Sequence, residues 1–301
     1  MTMTQLIESV PNISEGRRPE VIAACADAVR SVPGVTLLDI KPDEAHNRTV
    51  LTLIGHPEGL QTAILALYEA ALATIDLRQH TGEHPRMGAV DVCPFIPIRG
   101  TTMADCVSLA KQVAASVAER WQIPVFLYEE AASASHRRNL ADIRRGEFEG
   151  LPAKLHLPEW QPDFGGPAPH ASFGATVIGA REALVAYNIN LNTGSLAVAK
   201  AVAKAVRGAV GGLAHVKAMG VMSSDGRAQV SMNLVNTGKT PIYRVFELVR
   251  AEAARFGVTP SGSEIIGLVP QQALLDSAAY YLQIENWDPA LVLENRVLEH
   301  V

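Results

Sequence analysis

The hydrophobic pattern changes period along the chain, and each change predicts an element. Val21, Ile22, Cys25, Ala26 and Val29 recur at helical spacing over residues 17–30, with Pro19 where a first helical turn tolerates it. Strands are predicted over 5–10, 35–40 and 49–54; in the last, Val50, Thr52 and Ile54 fall on one side. A helix over 57–75, a strand over 90–98, a helix over 103–120 and a strand over 125–128 follow. The first half therefore reads β-α-β-β-α-β with one α-β unit appended, the order of a ferredoxin-like sheet with helices on one face.

The pattern lapses over 145–174, where Pro152, Pro158, Pro162, Gly165, Gly166, Pro167 and Pro169 accumulate. A loop of that length inside a compact protein is usually functional or a linker. Beyond it, strands over 182–191, 216–222, 228–235 and 264–269 alternate with helices over 195–210, 241–256 and 271–281. The element order thus repeats. It predicts an α+β protein of two ferredoxin-like subdomains in tandem, residues 1–176 and 177–301, on element order alone and without residue-level identity between the halves.

Composition narrows the class. A charged fraction of 19%, an apolar fraction of 48% and a net charge of -5 describe an ordinary globular surface without the basic excess of a nucleic-acid binder. The first ten residues lack a secretory signal, and the apolar helical stretches are interrupted by Glu69, Lys200 and Lys204, so no membrane association and a cytoplasmic setting are expected. Cys25, Cys93 and Cys106 show no metal-ligand spacing and read as reduced, buried thiols. Gly208-Ala209-Val210-Gly211-Gly212 has neither the spacing nor the setting of a nucleotide-binding loop, so NAD and ATP are not implied.

Titratable groups are densest between His80 and Asp91, just ahead of an apolar run. Gly82 and Pro85 bracket His84 with backbone breakers, which puts its imidazole on a turn entering a strand. His80 and His84 are four apart, a metal-pair spacing only on a continuous helix; the breakers argue against that helix, and no metal is expected. A lone turn histidine often does nothing but bond backbone groups, and surface arginines such as Arg48, Arg86 and Arg181 often pair only with neighbouring carboxylates. Asn188, Asn190 and Asn192 alternate with Ile189 and Leu191, which sets three amides on one strand face; such a face suits either a heterocycle edge or water.

The run Gly82-Glu83-His84-Pro85-Arg86-Met87-Gly88-Ala89-Val90-Asp91-Val92-Cys93-Pro94-Phe95-Ile96-Pro97 resembles the signature of the formiminotransferases. Val10-Pro11-Asn12-Ile13-Ser14-Glu15-Gly16, His46-Asn47-Arg48-Thr49-Val50, and Trp160-Gln161-Pro162-Asp163-Phe164-Gly165 leading into Gly174-Ala175-Thr176 match that family in the same order. The resemblance implies transfer of a formimino group from N-formimino-L-glutamate to N5 of tetrahydrofolate, the co-substrate, in a cleft between two α/β subdomains. It aligns His84 with the catalytic acid/base, and Gly165-Gly166-Pro167-Ala168-Pro169-His170-Ala171-Ser172-Phe173-Gly174 with the folate-binding loop, where Phe173 offers a ring for stacking.

Both implied substrates are anionic, so Arg48 and Arg86 are expected to bind carboxylates, with Asn188 and Asn190 on the pterin. A homodimer is expected on general grounds. One departure stands out: an acidic residue of the family's catalytic set, two positions beyond the match to Asp39, is replaced here by Lys41. Either Asp43 or Glu44 then takes its part, or the donor differs, formiminoglycine and N-formylglutamate being the alternatives; a folate-binding protein without turnover is a third reading. The length, to Val301, leads us to expect a stand-alone transferase without a cyclodeaminase domain.

Overall fold

A computed structural model describes residues 5–223 and 225–298. The chain divides into two compact units, one up to Arg181 and one from Glu182 onward.

The first unit begins with β1 (Leu6–Ser9) and β2 (Asn12–Ile13), two pieces of one interrupted strand. After α1 (Pro19–Arg30) come β3 (Val35–Asp43), β4 (Arg48–Gly55), α2 (Pro57–Thr74), β5 (Val90–Arg99), α3 (Met103–Trp121) and β6 (Val125–Glu129). Both β1 and β2 lie between β4 and β5, antiparallel to each, and β3 pairs β4. That is the 4-1-3-2 order of a ferredoxin-like sheet. The break at Val10-Pro11 lies beside Pro94 of β5, whose carbonyl accepts from the Val10 amide at 3.4 Å; neither proline has an N–H to give a ladder.

Two parallel strands extend this sheet beyond β5. Parallel pairing joins β5 to β7 (Thr176–Ala180), and β7 to β6. Strand β5 is therefore interior, which accounts for its unbroken apolar run. The sequence reading ended the first subdomain at 176 and did not resolve β7; the strand belongs to the first sheet, so the first unit runs five residues further, to Arg181. Gly179 in β7 is required by packing, because a Cβ there would sit 2.3 Å from the Tyr128 carbonyl oxygen.

The stretch 145–174 is not the continuous loop that its prolines and glycines predict. Helix α4 (Leu140–Arg144) runs just ahead of it, and α5 (Glu147–Leu155) and a single 3-10 turn lie within it. Leu151 and Leu155, four apart on α5, are buried with Ile143 against Phe126, Tyr128 and Val177 of the sheet. Burial of that apolar pair outweighs the hydrogen bond Pro152 cannot donate.

The second unit contains β8 (Val185–Leu191), α6 (Leu196–Val206), β9 (Val216–Met222), β10 (Ala228–Leu234), α7 (Ile242–Ala254) and β11 (Pro260–Ile266), followed by α8 (Gln271–Leu282) and α9 (Leu293–Leu298). Its sheet order, β11-β8-β10-β9, is antiparallel throughout and again 4-1-3-2. The protein is thus α+β with two ferredoxin-like units in tandem, as element order predicted. Val185, Tyr187, Ile189 and Leu191 face the core with α6 and α7. Alternation then turns Asn188 and Asn190 to the other side of the sheet.

Candidate functional site

Four stretches of the first unit converge on Asn47. Its backbone is left-handed, φ 47°, a conformation that asparagine tolerates better than most residues. Its amide oxygen accepts from the Gly16 N–H at 2.9 Å and its amide nitrogen donates to the Thr81 carbonyl at 3.0 Å. The Asn47 carbonyl bonds His80 Nε2 at 2.8 Å. Gly16 and Gly82 permit the approach: a Cβ on Gly16 would lie 2.3 Å from the Asp43 carbonyl oxygen, and one on Gly82 2.4 Å from that of His46. Ser14 Oγ donates to the Gly88 carbonyl at 2.7 Å, and Thr49 Oγ1 to the Glu15 carbonyl at 2.5 Å.

His84 sits on this junction, in a bend before β5 and outside any helix. Arg48 Nη1 lies 3.5 Å from His84 Nε2, and the His46 ring stands edge-on at 6.1 Å. Burial, then the guanidinium charges of Arg48 and Arg144 and the neighbouring His46 and His80, push the His84 pKa down to about 2. The imidazole is therefore neutral across the physiological range, and it is a weak base until negative charge enters beside it. His46 is itself held by Asp43, which accepts from the His46 amide at 2.9 Å and meets its Nδ1 at 2.8 Å. Burial raises the Asp43 carboxyl, but its bonds to His46 and the nearby Arg48 charge outweigh that and hold it below its usual value.

Arg144, at the end of α4, was not legible as a site residue. It pairs with the fully buried carboxylate of Asp91, whose other oxygen accepts the Met87 amide at 2.8 Å. Lys154 fixes this end of α4: Nζ donates to the carbonyls of Asp142 at 3.0 Å, Ile143, and Arg145 at 3.2 Å, and lies 3.9 Å over the Trp160 ring. Burial lowers the Lys154 pKa to about 8. Only contacts across 53 residues reveal Arg144, which is why local pattern missed it.

The other expected residues fall in several places. Arg86 is spent inside the protein, bonding His80 Nδ1 at 3.1 Å and the carboxylates of Glu147 and Glu149 at 3.0 and 2.7 Å. It ties the histidine turn to α5. His80, bonded at both ring nitrogens, does not face His84 as a paired ligand, and among the described residues no three His, Cys, Asp or Glu side chains group as metal ligands. Arg181 is hydrogen-bonded to Tyr128. Lys41 lies 3.8 Å from Asp39, and Glu44 offers its carbonyl to Arg17 at 2.8 Å.

Within Gly165-Gly174, the loop is exposed from Gly165 to Ala168 and its end is built into the fold. Gly174 pairs with Gly88, and the Ala89 amide donates to the Phe173 carbonyl at 2.9 Å, so this loop is fused to the histidine turn. Phe173 is fully buried and stacked on Tyr68 at 5.7 Å. Its ring belongs to the core, contrary to the expectation that it stacks on a ligand. His170 Nδ1 accepts the Phe173 amide at 3.1 Å, holding the tip. Gly166 has open space at its Cβ position.

In the second unit Asn188 donates to Glu264 at 3.1 Å, and Gln229 donates to Asn190 at 2.8 Å and Glu264 at 3.0 Å. These amides form a network closed on one carboxylate. Asn192 leaves it, accepting from the Thr259 amide at 2.9 Å.

The N-terminal subdomain model of the formiminotransferase domain matches residues 6–181, and the formiminotransferase domain model matches 186–298. A protein of Streptococcus pyogenes serotype M1 named glutamate formimidoyltransferase is 48% identical over 298 residues, spanning 98% of this chain and 100% of that protein. One of the same name from Thermoplasma acidophilum is 46% identical over 97% of each chain. The formimidoyltransferase-cyclodeaminase of Sus scrofa is 46% identical over 94% of this chain and 54% of its own length. With both halves matched, and the histidine turn, the Asn47 junction and the Gly165-Gly174 loop joined in one unit, this chain belongs to the formiminotransferase family.

Proposed function

We propose that the protein is a glutamate formimidoyltransferase that moves the formimino group of N-formimino-L-glutamate to N5 of tetrahydrofolate and releases L-glutamate. The observation that carries the mechanism is the placing of His84 on a stitched junction, with its Nε2 3.5 Å from Arg48. As N5 bonds to the formimino carbon, His84 takes the N5 proton. It returns that proton to the glutamate nitrogen, which leaves with the electron pair of its bond to carbon. A group that accepts and then donates in this way contributes on the order of 10²- to 10⁴-fold in rate.

Asp43 orients His46 beside His84, which supports Asp43 over Glu44 as the acidic partner where the family pattern is replaced by Lys41. The exposed Gly165 to Ala168 backbone, fixed at its far end to the histidine turn, is the folate-contacting part of its loop. The free thiols Cys25, Cys93 and Cys106 support a reducing, cytoplasmic setting, and no helix among the described residues is long and apolar enough to cross a membrane. The test is direct: enzyme, tetrahydrofolate and formiminoglutamate together must release glutamate at a rate that depends on both substrates.

A further inference from the structure

Two guanidinium groups stand beside His84, and the chain supplies one buried carboxylate between them. Asp91 pairs with Arg144. Among the described residues no carboxylate is in ion-pair contact with Arg48, and the Nε atoms of Arg48 and of Arg144 are both buried without a hydrogen-bond partner. Burial, then the neighbouring Arg144 charge, pull the Arg48 pKa below its ordinary value, and the Asp43 and Asp91 carboxylates only partly oppose them. Buried donors left without an acceptor are costly, and planar guanidinium groups with such donors are matched by a planar carboxylate.

The geometry points to Arg48 and Arg144 as the subsite for the donor's α-carboxylate, the one carried by the carbon attached to the reacting nitrogen. This rests on the transferase reading above and goes further, because it fixes which end of the donor the site reads. Reach decides which carboxylate fits. Arg48 Nη1 is 3.5 Å from His84 Nε2, so an anion gripped there lies next to the nitrogen that His84 protonates. In an α-amino acid the carboxylate carbon is about 2.5 Å from that nitrogen, with a single carbon between them. The γ-carboxylate of an extended glutamate is on the order of 5 Å away, and the glutamate of a folate lies beyond a benzoyl ring.

The same subsite selects the donor class. Any formimino α-amino acid presents the right anion, whereas N-formimino-4-aminobutyrate keeps the distal carboxylate and lacks the proximal one. An α-carboxylate between the two guanidiniums also offsets the charges that disfavour a proton on His84, with His46, His80, Asp43 and Asp91 unchanged around it.

The test compares formiminoglutamate, formiminoglycine and N-formimino-4-aminobutyrate as donors to tetrahydrofolate, with wild-type enzyme and Arg144→Met. The wild type is expected to use formiminoglycine with a raised KM, and to lose about 10- to 100-fold in kcat/KM on the 4-aminobutyrate derivative, the scale of a lost charged hydrogen bond. In Arg144→Met the gap between formiminoglutamate and that derivative should shrink. A second measurement does not depend on turnover or on the variant folding: with histidine-labelled wild type, L-glutamate but not 4-aminobutyrate should raise the His84 pKa in an NMR titration. Equal use of the 4-aminobutyrate derivative, or equal His84 shifts with both ligands, overturns the subsite while leaving the transferase intact. Failure of the wild type to use formiminoglutamate at all overturns the transferase reading instead.

Discussion

Arg144 and Asp91 are joined across 53 residues of sequence, and this ion pair holds one of the two guanidinium charges that act on His84. Asp91 is the second residue of β5, two residues after the histidine turn rejoins Phe173, and Arg144 ends a helix held by Lys154. A strand terminus and a helix terminus thus place one positive charge beside the imidazole.

Replacing Asp91 by Asn should cost about 3 to 5 kcal/mol of stability, because Arg144 would stay buried without its counter-charge. Urea unfolding of the variant measures this. A loss under about 1 kcal/mol would mean that Arg144 finds water instead.

His84→Ala should lower kcat about 10²- to 10⁴-fold while leaving folate affinity within a few-fold, since the imidazole moves protons and the loop holds the pterin. Steady-state glutamate release and folate titration separate the two effects. Normal turnover would remove His84 from the mechanism.

The pH dependence of stability follows from the same ring. An unfolded histidine titrates near 6.5, whereas the folded His84 refuses a proton down to about 2. Between those values the unfolded chain binds the extra proton, so stability falls as pH drops below about 6.5. Wild type should therefore lose more stability than His84→Gln between pH 7 and pH 5, by up to about 1 kcal/mol per pH unit after solvent screening. Parallel urea midpoints for the two proteins would contradict this.

The Asn47 side chain carries two hydrogen bonds, on a left-handed backbone, so Asn47→Ala should destabilise by about 2 to 3 kcal/mol. Asn47→Gly relieves the backbone cost and should recover part of the loss. If both variants unfold at the wild-type midpoint, the junction is not what holds the four stretches together.

Asp43→Asn should reduce kcat by about ten- to a hundredfold, the scale on which a functional ring loses its orienting partner. Lys41→Ala should change it less than about threefold, because the Lys41 side chain is largely exposed and pairs only with Asp39. Reversed sensitivities would move the acidic role away from Asp43.

The sequence by itself determined the two ferredoxin-like units and the turn that bears His84. Apolar positions at periods of two and near four report which face each segment buries, and Gly82 and Pro85 exclude a helix whatever surrounds them. Resemblance, rather than periodicity, singled out the Gly165-Gly174 loop.

Tertiary structure decided the rest. Helix α5 survives Pro152 because Leu151 and Leu155 are buried on the sheet, and β7 exists because β5 and β6 offer it parallel ladders on both sides. The sequence singled out Arg86 and passed over Arg144, yet the first is consumed by Glu147 and Glu149 while the second stands by His84 with a buried Nε unpaired. Phe173 became core and stacks on Tyr68. Local pattern encodes secondary structure because it depends on neighbours a few residues away. Whether a charge or ring is free to act depends on partners tens of residues distant, and only the folded chain brings those into contact.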